Sequence, residues 1–439
     1  MKMQLAKKKS WLYFPLTASF FGLVLVIDQL LLPMFHFKGF PFKISYFLAS
    51  LWFLDFLIKK KRDIYIDREF KLFCLATFII IICGSLGELF FSIYWTVESF
   101  EPFIRSNLIY VLTVFSFGLG LASSRFDIKW LFPVILISIF LNFAFIFLKS
   151  QVPTLLIDLY YGTEVTDDFK SLGLNSVESI LELSRPRGLF PNPNGSAFLV
   201  NIISLFIYLG IKHKLCAVPS VKVYVLIILL PVVLSVLLAS RGEFIVAVIL
   251  AVLHFKTLKL SKKINFVVLV SVTILTTLLF SASFIQKIDT SDMKRNLERV
   301  LSIVKVIDNA SSKDSDVKAL SSVARPLMTL VWAYERFKVS PIFGTGYAKV
   351  QGHEYFEEGT DYLHNDWFRL MVTSGLIGLI AMLWIINRFV MFLGWPVLIP
   401  FILPGMINTF LLNIPAVMFF FYMVGYMRSK LRHPRSLAS

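Results

Sequence analysis

A chain of 439 residues in which 57% are hydrophobic and 45 are phenylalanine, with a mean hydropathy of +0.74, is too apolar for a soluble globular protein and predicts many membrane spans. The net charge of +16 comes from 44 Lys and Arg against 28 Asp and Glu. Its basic residues cluster beside apolar runs, which marks topology and attraction to anionic lipid and leaves a nucleic-acid reading without support.

The chain opens with Lys7, Lys8 and Lys9 before an apolar run that starts at Trp11, and no small-residue cleavage site follows, so an uncleaved first helix is expected. Apolar runs of spanning length recur at 11–34, 40–58, 70–93, 103–122, 129–149, 190–211, 221–240, 242–256, 264–284, 366–386, 389–405 and 408–427. The expected fold is therefore all-α and polytopic, with about twelve transmembrane helices. With a cytoplasmic N-terminus, the clusters at Lys59 to Arg62, Lys212 with Lys214, Lys256 to Lys263 and Arg428 to Arg435 all fall on the cytoplasmic side. The organisation is then helices 1–5 in residues 1–149, an outer loop at 150–189, helices 6–9 in 190–284, a large outer loop at 285–365, helices 10–12 in 366–427, and a basic cytoplasmic tail at 428–439. Cys74 and Cys83 sit within a span and Cys216 in a cytoplasmic loop, so no extracytoplasmic disulfide is expected.

The two long outer loops are where chemistry should be sought. The larger balances eleven Lys and Arg against eleven Asp and Glu, which suits a folded, solvated excursion. Within it Met293, Leu297, Val300, Leu301, Val304 and Ile307 recur at helical spacing. A second helix is predicted from Pro326 through Trp332 to Phe337, ending before Pro341 and Gly344-Thr345-Gly346.

Three helices are predicted to start on the outer face with a polar cap. The first follows Arg185-Pro186-Arg187-Gly188 and begins at Asn192-Pro193-Asn194, with Asn192 as cap and Pro193 at the first helical position. A positive helix end beside Arg185 and Arg187 is an arrangement that holds phosphate. The second begins at Ser240-Arg241-Gly242-Glu243, a capping-box pattern in which Ser240 caps and Glu243 reaches back. The third begins around His364-Asn365-Asp366 and runs into the segment with Gly375 and Gly378.

Each feature has a plainer explanation. Arginines at helix ends commonly snorkel to headgroups, but these three lie on the side that the positive-inside bias depletes. The Ser240 cap is mainly structural. His364 is the histidine at an outer-face helix start, and neighbouring arginines would keep it neutral and suited to take a proton. His353, Glu354, Glu357, Glu358, Asp361 and His364 crowd together, yet their spacing matches no zinc motif, so no metal is expected. Asp28, Asp55 and Glu88 lie in apolar spans and could mark a transport path, but they are few and lie near span ends.

Arg185-Pro186-Arg187-Gly188 leading to Pro191-Asn192-Pro193-Asn194, then Ser240-Arg241-Gly242, then Arg325 with Trp332, Pro341 and Gly344-Thr345-Gly346, then His364-Asn365, resemble in order and placement the O-antigen ligase and O-antigen polymerase superfamily. The resemblance covers about residues 185–380. It implies a bacterial inner-membrane glycosyltransferase with its active site on the periplasmic face, both termini cytoplasmic, and one large, partly helical periplasmic loop between helices 9 and 10. The implied donor is an oligosaccharide on undecaprenyl diphosphate, without a cofactor, nucleotide sugar or metal. By motif match, Arg187, Arg241 and Arg325 would hold the diphosphate and His364 would meet the acceptor hydroxyl. Arg185, Asn192 and Asn194 would assist at the diphosphate, and Ser240 and Asn365 would support the site. The acceptor glycan is a lipid-linked repeat for a polymerase or lipid A-core for a ligase, and a chain-length regulator is a further partner. His364-Asn365-Asp366-Trp367-Phe368-Arg369 followed by Gly375-Leu376-Ile377-Gly378 leans towards polymerase. Ligase is the alternative, and a lipid-linked glycan flippase or transporter is a second one.

Overall fold

A computed structural model describes residues 24, 35–37, 40–59, 67–91, 97–123, 128–148, 193–238, 240–257, 333–346, 365–407 and 414–432. Among these, every regular element longer than three residues is helical. Nine helices fall on nine of the expected spans: α1 (Ile44–Lys59), α2 (Arg68–Phe91), α3 (Val97–Ala122), α4 (Leu131–Leu148), α5 (Pro193–Lys212), α6 (Val221–Leu237), α7 (Arg241–Thr257), α8 (Asp366–Leu393) and α9 (Ile414–Arg432). Arg68–Phe91, Gly195–Lys212 and Asp366–Leu393 are long and apolar enough to cross a membrane by themselves. Apart from residue 24, the expected spans at 11–34 and 264–284, and nearly all of the two outer loops, lie outside the described residues.

The helical class stands, with one short addition and one correction. A two-stranded antiparallel hairpin, β1 (Phe35–Phe37) and β2 (Phe40–Phe42), accompanies the helices, with Phe35 opposite Phe42 and Phe37 opposite Phe40. Its signal was the apolar alternation on either side of Lys38-Gly39. The span expected at 389–405 does not form. Instead α8 continues to Leu393, Gly394 takes φ 87°, and a 3-10 turn (Trp395–Leu398) and single helical turns at Ile399–Ile402 and Pro404–Ile407 follow. Pro396, Pro400 and Pro404 each lack the amide that a continuous helix would need, so apolarity alone cannot make this segment one span.

The chain divides into two compact units, residues 1–127 with 321–439, and residues 128–320. The first contains the hairpin, α1, α2, α3, α8 and α9. Its centre is α9, buried at every position from Ile414 to Met427, which is what a helix apolar on all sides requires. It packs most extensively on α3, where Gly120 lies against the Tyr422 carbonyl and Gly425 against the Phe117 carbonyl. These small residues let the two backbones approach, a packing mode suited to helices in lipid. Phe73, Phe117, Phe389 and Phe421 fill the space between α2, α3, α8 and α9. Outward, α2 exposes Leu75, Phe78, Ile82, Leu89 and Phe90, and α8 exposes Leu376, Ile380 and Leu383, stripes at helical spacing that suit a lipid-facing surface.

One end of this unit is tied by charge. Asp67 caps α2 by accepting from the amides of Glu69 (2.8 Å) and Phe70 (3.3 Å), and its other oxygen accepts from Arg432 of α9 at 2.7 Å. Glu69 accepts from both Nε and Nη2 of Arg388 on α8, and Arg428 of α9 lies 3.8 Å away. Three helices thus share one ionic cluster, whose two-pronged Arg388 contact fixes α8 against α2.

The second unit contains α4 to α7. Here α5 is central, buried from Gly195 to Gly210, with α7 and α6 packed on it. Buried His254 of α7 links all three helices: Nδ1 is 2.8 Å from the Tyr224 hydroxyl, and Nε2 is 3.1 Å from both the hydroxyl and the carbonyl oxygen of Ser204. The close crossing of α3 and α9 predicts that Gly120→Leu lowers stability by about 1–3 kcal/mol through overpacking, read as a lower thermal midpoint of the purified protein.

Candidate functional site

The Gly344-Thr345-Gly346 motif lies in a break of α8. In an unbroken helix the amides of Leu376 and Ile377 would donate to the carbonyls of Val372 and Thr373. In this chain those carbonyls accept from the amides of Thr345 (2.7 Å) and Gly346 (3.2 Å). The freed amides of Leu376 and Ile377 donate in return to the carbonyls of Pro341 (2.9 Å) and Ile342 (3.3 Å). A six-residue loop therefore replaces two helical hydrogen bonds with four of its own. Such replacement is what a helix break between apolar segments requires, because each unpaired backbone group would be costly there.

Glycine is needed on both sides of this contact. Gly375 adopts φ 63°, ψ −164°, a region essentially reserved for glycine, and a β-carbon there would run into the Ile342 carbonyl. Gly344 and Gly346 have φ 80° and 78°. The loop also abuts α2, where Gly87 faces the Gly344 carbonyl and the Gly346 amide, and Glu88 lies directly against Gly346. The helix entering the loop is present at 333–339 and stops before Pro341, as predicted for the part described. Its Ala333 packs with Val372 of α8, and Arg336 on it is buried. Burial pushes the Arg336 guanidinium down to about 10 while the Glu88 carboxylate opposes the shift, so the group remains a cation at neutral pH.

The start of α8 is capped as predicted. Asn365 is extended at φ −144°, ψ 116°, and its side-chain oxygen accepts from the amides of Trp367 (2.9 Å) and Phe368 (3.1 Å). Around it Asn365, Asp366 and Arg369 are all buried. Trp367 donates from Nε1 to the Phe401 carbonyl at 3.0 Å, which fastens the first turn to the proline-rich segment after α8.

In the second unit, α5 begins at Pro193 and α7 at Arg241, as expected. The middle of α5 is joined to the first turn of α7 by a contact that local sequence rules do not reveal. Asn201 of α5 donates to the Glu243 side chain (2.9 Å) and to its backbone carbonyl (3.0 Å), all in the buried interior. This corrects the capping box. Glu243 is turned towards Asn201, while the Ser240 amide donates to the Ser235 carbonyl at 3.0 Å. A buried amide offering a partner across the helix interface outcompetes the local reach-back.

Of the candidate residues, Ser240 is buried at the start of α7 and Asn365 at the start of α8, in different units. Arg241 is the first residue of α7 and Asn194 the second of α5. His364, Arg185, Arg187, Arg325 and Asn192 lie outside the described residues. So do His353 to Asp361 of the acidic cluster, and among the described residues no group of three His, Cys, Asp or Glu could hold a metal. Arg336 and the Asn201–Glu243 pair were overlooked, although a charge or amide inside an apolar helical stretch is itself a signal.

Gly375→Ala is expected to cost about 1–3 kcal/mol through strain at the break. Asn365→Ala should cost about 1 kcal/mol, with Asp at that position restoring most of it, since Asp caps comparably. Thermal unfolding of the purified variants measures both.

No curated protein matches the chain. Residues 224–383 match the family model described as O-antigen ligase, a stretch that includes Ser240, Arg241, Arg325, His364 and Asn365 and begins after Arg185 to Asn194. This matched stretch supports a place in the O-antigen ligase/polymerase superfamily and a function of the membrane glycosyltransferase type.

Proposed function

We propose that the protein is a surface-polysaccharide polymerase that transfers a glycan from undecaprenyl diphosphate to a lipid-linked repeat unit on the periplasmic face of the bacterial inner membrane. The observation that carries the reading is the family match over 224–383, a stretch that includes Arg241, Arg325 and His364. Transfer forms a bond between the acceptor oxygen and the anomeric carbon and breaks the bond from that carbon to the diphosphate. Negative charge develops on the leaving diphosphate. Arg241 at a helix start, with Arg187 and Arg325, supplies preorganised positive charge for it, and Arg185, Asn192 and Asn194 complete that wall. His364 takes the proton of the acceptor hydroxyl, and the cap made by Asn365 holds the helix that follows it. Ser240 supports Arg241 from the preceding position. No metal is required, and attack from the face opposite the diphosphate inverts the anomeric carbon.

A ligase acting on lipid A-core is the second reading, favoured by the description of the matched family as O-antigen ligase. Reconstitution with undecaprenyl-diphosphate repeat units, with and without lipid A-core, separates the two. Long chains from donor alone are the expected result, and transfer seen solely when lipid A-core is added would replace the polymerase reading with the ligase. In the same assay His364→Ala should lower turnover by about 10²–10⁴-fold, the usual weight of a general base. Arg241→Lys should be impaired although the charge is kept, because an ammonium cannot reproduce the guanidinium fork. Wild-type turnover in either variant removes that residue from the mechanism.

A further inference from the structure

Arg336 and Glu88 are buried residues of opposite charge type next to the loop that fills the break in α8, the first on the helix that leads into it and the second against its last residue. Arg336 is 2% exposed on the helix leading into Pro341, and Glu88 is 6% exposed in the last turn of α2. The Glu88 carboxylate and backbone lie directly against Gly346, whose amide donates to the Thr373 carbonyl. Electrostatic attraction between the two side chains favours the Arg336 cation against its desolvation. Both groups are buried, which suits a structural role more than contact with a substrate. What they can do is hold the loop: one charge precedes it in the chain, the other stands beneath its last residue, and a buried ion is costly unless its partner stays in place.

The backbone contacts extend the consequence to α8. Loop residues Thr345 and Gly346 carry the carbonyls on one side of the break, and Pro341 and Ile342 carry the amides on the other. The half of α8 that runs from Asn365 to Ser374 is therefore oriented by the loop and not by continuous helix. That half starts next to His364 in sequence.

We propose that Arg336 and Glu88 are a positioning pair that seats the 341–346 loop in the break of α8 and thereby sets the direction of the Asn365–Ser374 half-helix. The link to catalysis rests on the reading of His364 as the base, whereas the seating itself does not.

Hydrogen exchange and turnover of the full-length protein in lipid nanodiscs test the two parts separately. In Glu88→Gln and in Arg336→Gln, amides of the 341–346 segment should exchange at least about tenfold faster while those of α9 stay at the wild-type rate, the pattern of a local opening. Donor KM should change little and kcat should fall. The double variant Glu88→Gln with Arg336→Gln should exchange less than the product of the two single effects, because the attraction between the two side chains can be lost only once. The proposal is overturned by unchanged exchange at 341–346, by exchange that rises equally in α9, or by single effects that multiply fully in the double variant. Faster local exchange with unchanged kcat overturns the positioning role. If the wild-type protein transfers no glycan, the proposed function falls, and the exchange data still decide whether the pair seats the loop.

Discussion

Four backbone hydrogen bonds between the 341–346 loop and the break at Gly375 determine the geometry around the start of α8. A break inside an apolar helix is tolerable when the released carbonyls and amides are paired elsewhere. The loop meets that condition in both directions at once, accepting from Leu376 and Ile377 and donating to Val372 and Thr373. Glycine at 344, 346 and 375 follows from it, since the chain must take positive φ at all three positions and pass close to neighbouring backbone. A motif that reads in sequence as a turn at the end of a helix is, in the folded chain, the missing piece of another helix.

The opposite, ionic end of the same unit complements this arrangement. Asp67 and Glu69 at the start of α2 bind Arg432 of α9 and Arg388 of α8, so three helices are held in register by charge. At the other end of α2, Gly87 and Glu88 meet the glycine loop. Held by ions near its end and by the loop at its break, α8 is fixed at two points. Its first half can present a polar start, Asn365-Asp366, without the register of the second half being lost.

Much of this was visible beforehand, for identifiable reasons. Apolar runs bounded by polar caps located nine helices, and the starts at Pro193, Arg241 and Asp366 followed from local rules: proline at the first turn, serine or asparagine at the cap. Asn365 does cap α8. The errors arose where local rules compete with distant partners. Glu243 fits a capping box by spacing but turns to Asn201, 42 residues away. The segment 389–405 is apolar enough to span, yet Gly394 and three prolines divide it.

The sequence by itself determined the class of protein and the candidate chemistry. Hydropathy points to a membrane environment, charge asymmetry predicts an order of loops, and Ser240-Arg241, Arg325 and His364-Asn365 all fall in the stretch that matches the O-antigen ligase model. Tertiary structure alone decided that Gly344-Thr345-Gly346 repairs α8, that Asn201 claims Glu243, that α9 and α5 are the buried centres of their units, and that Glu88 lies against the loop that follows the helix of buried Arg336. The physical reason is the same in each case. A helix and its cap are set by residues a few positions apart, whereas the pairing of a freed carbonyl or a buried charge depends on which distant segment arrives beside it.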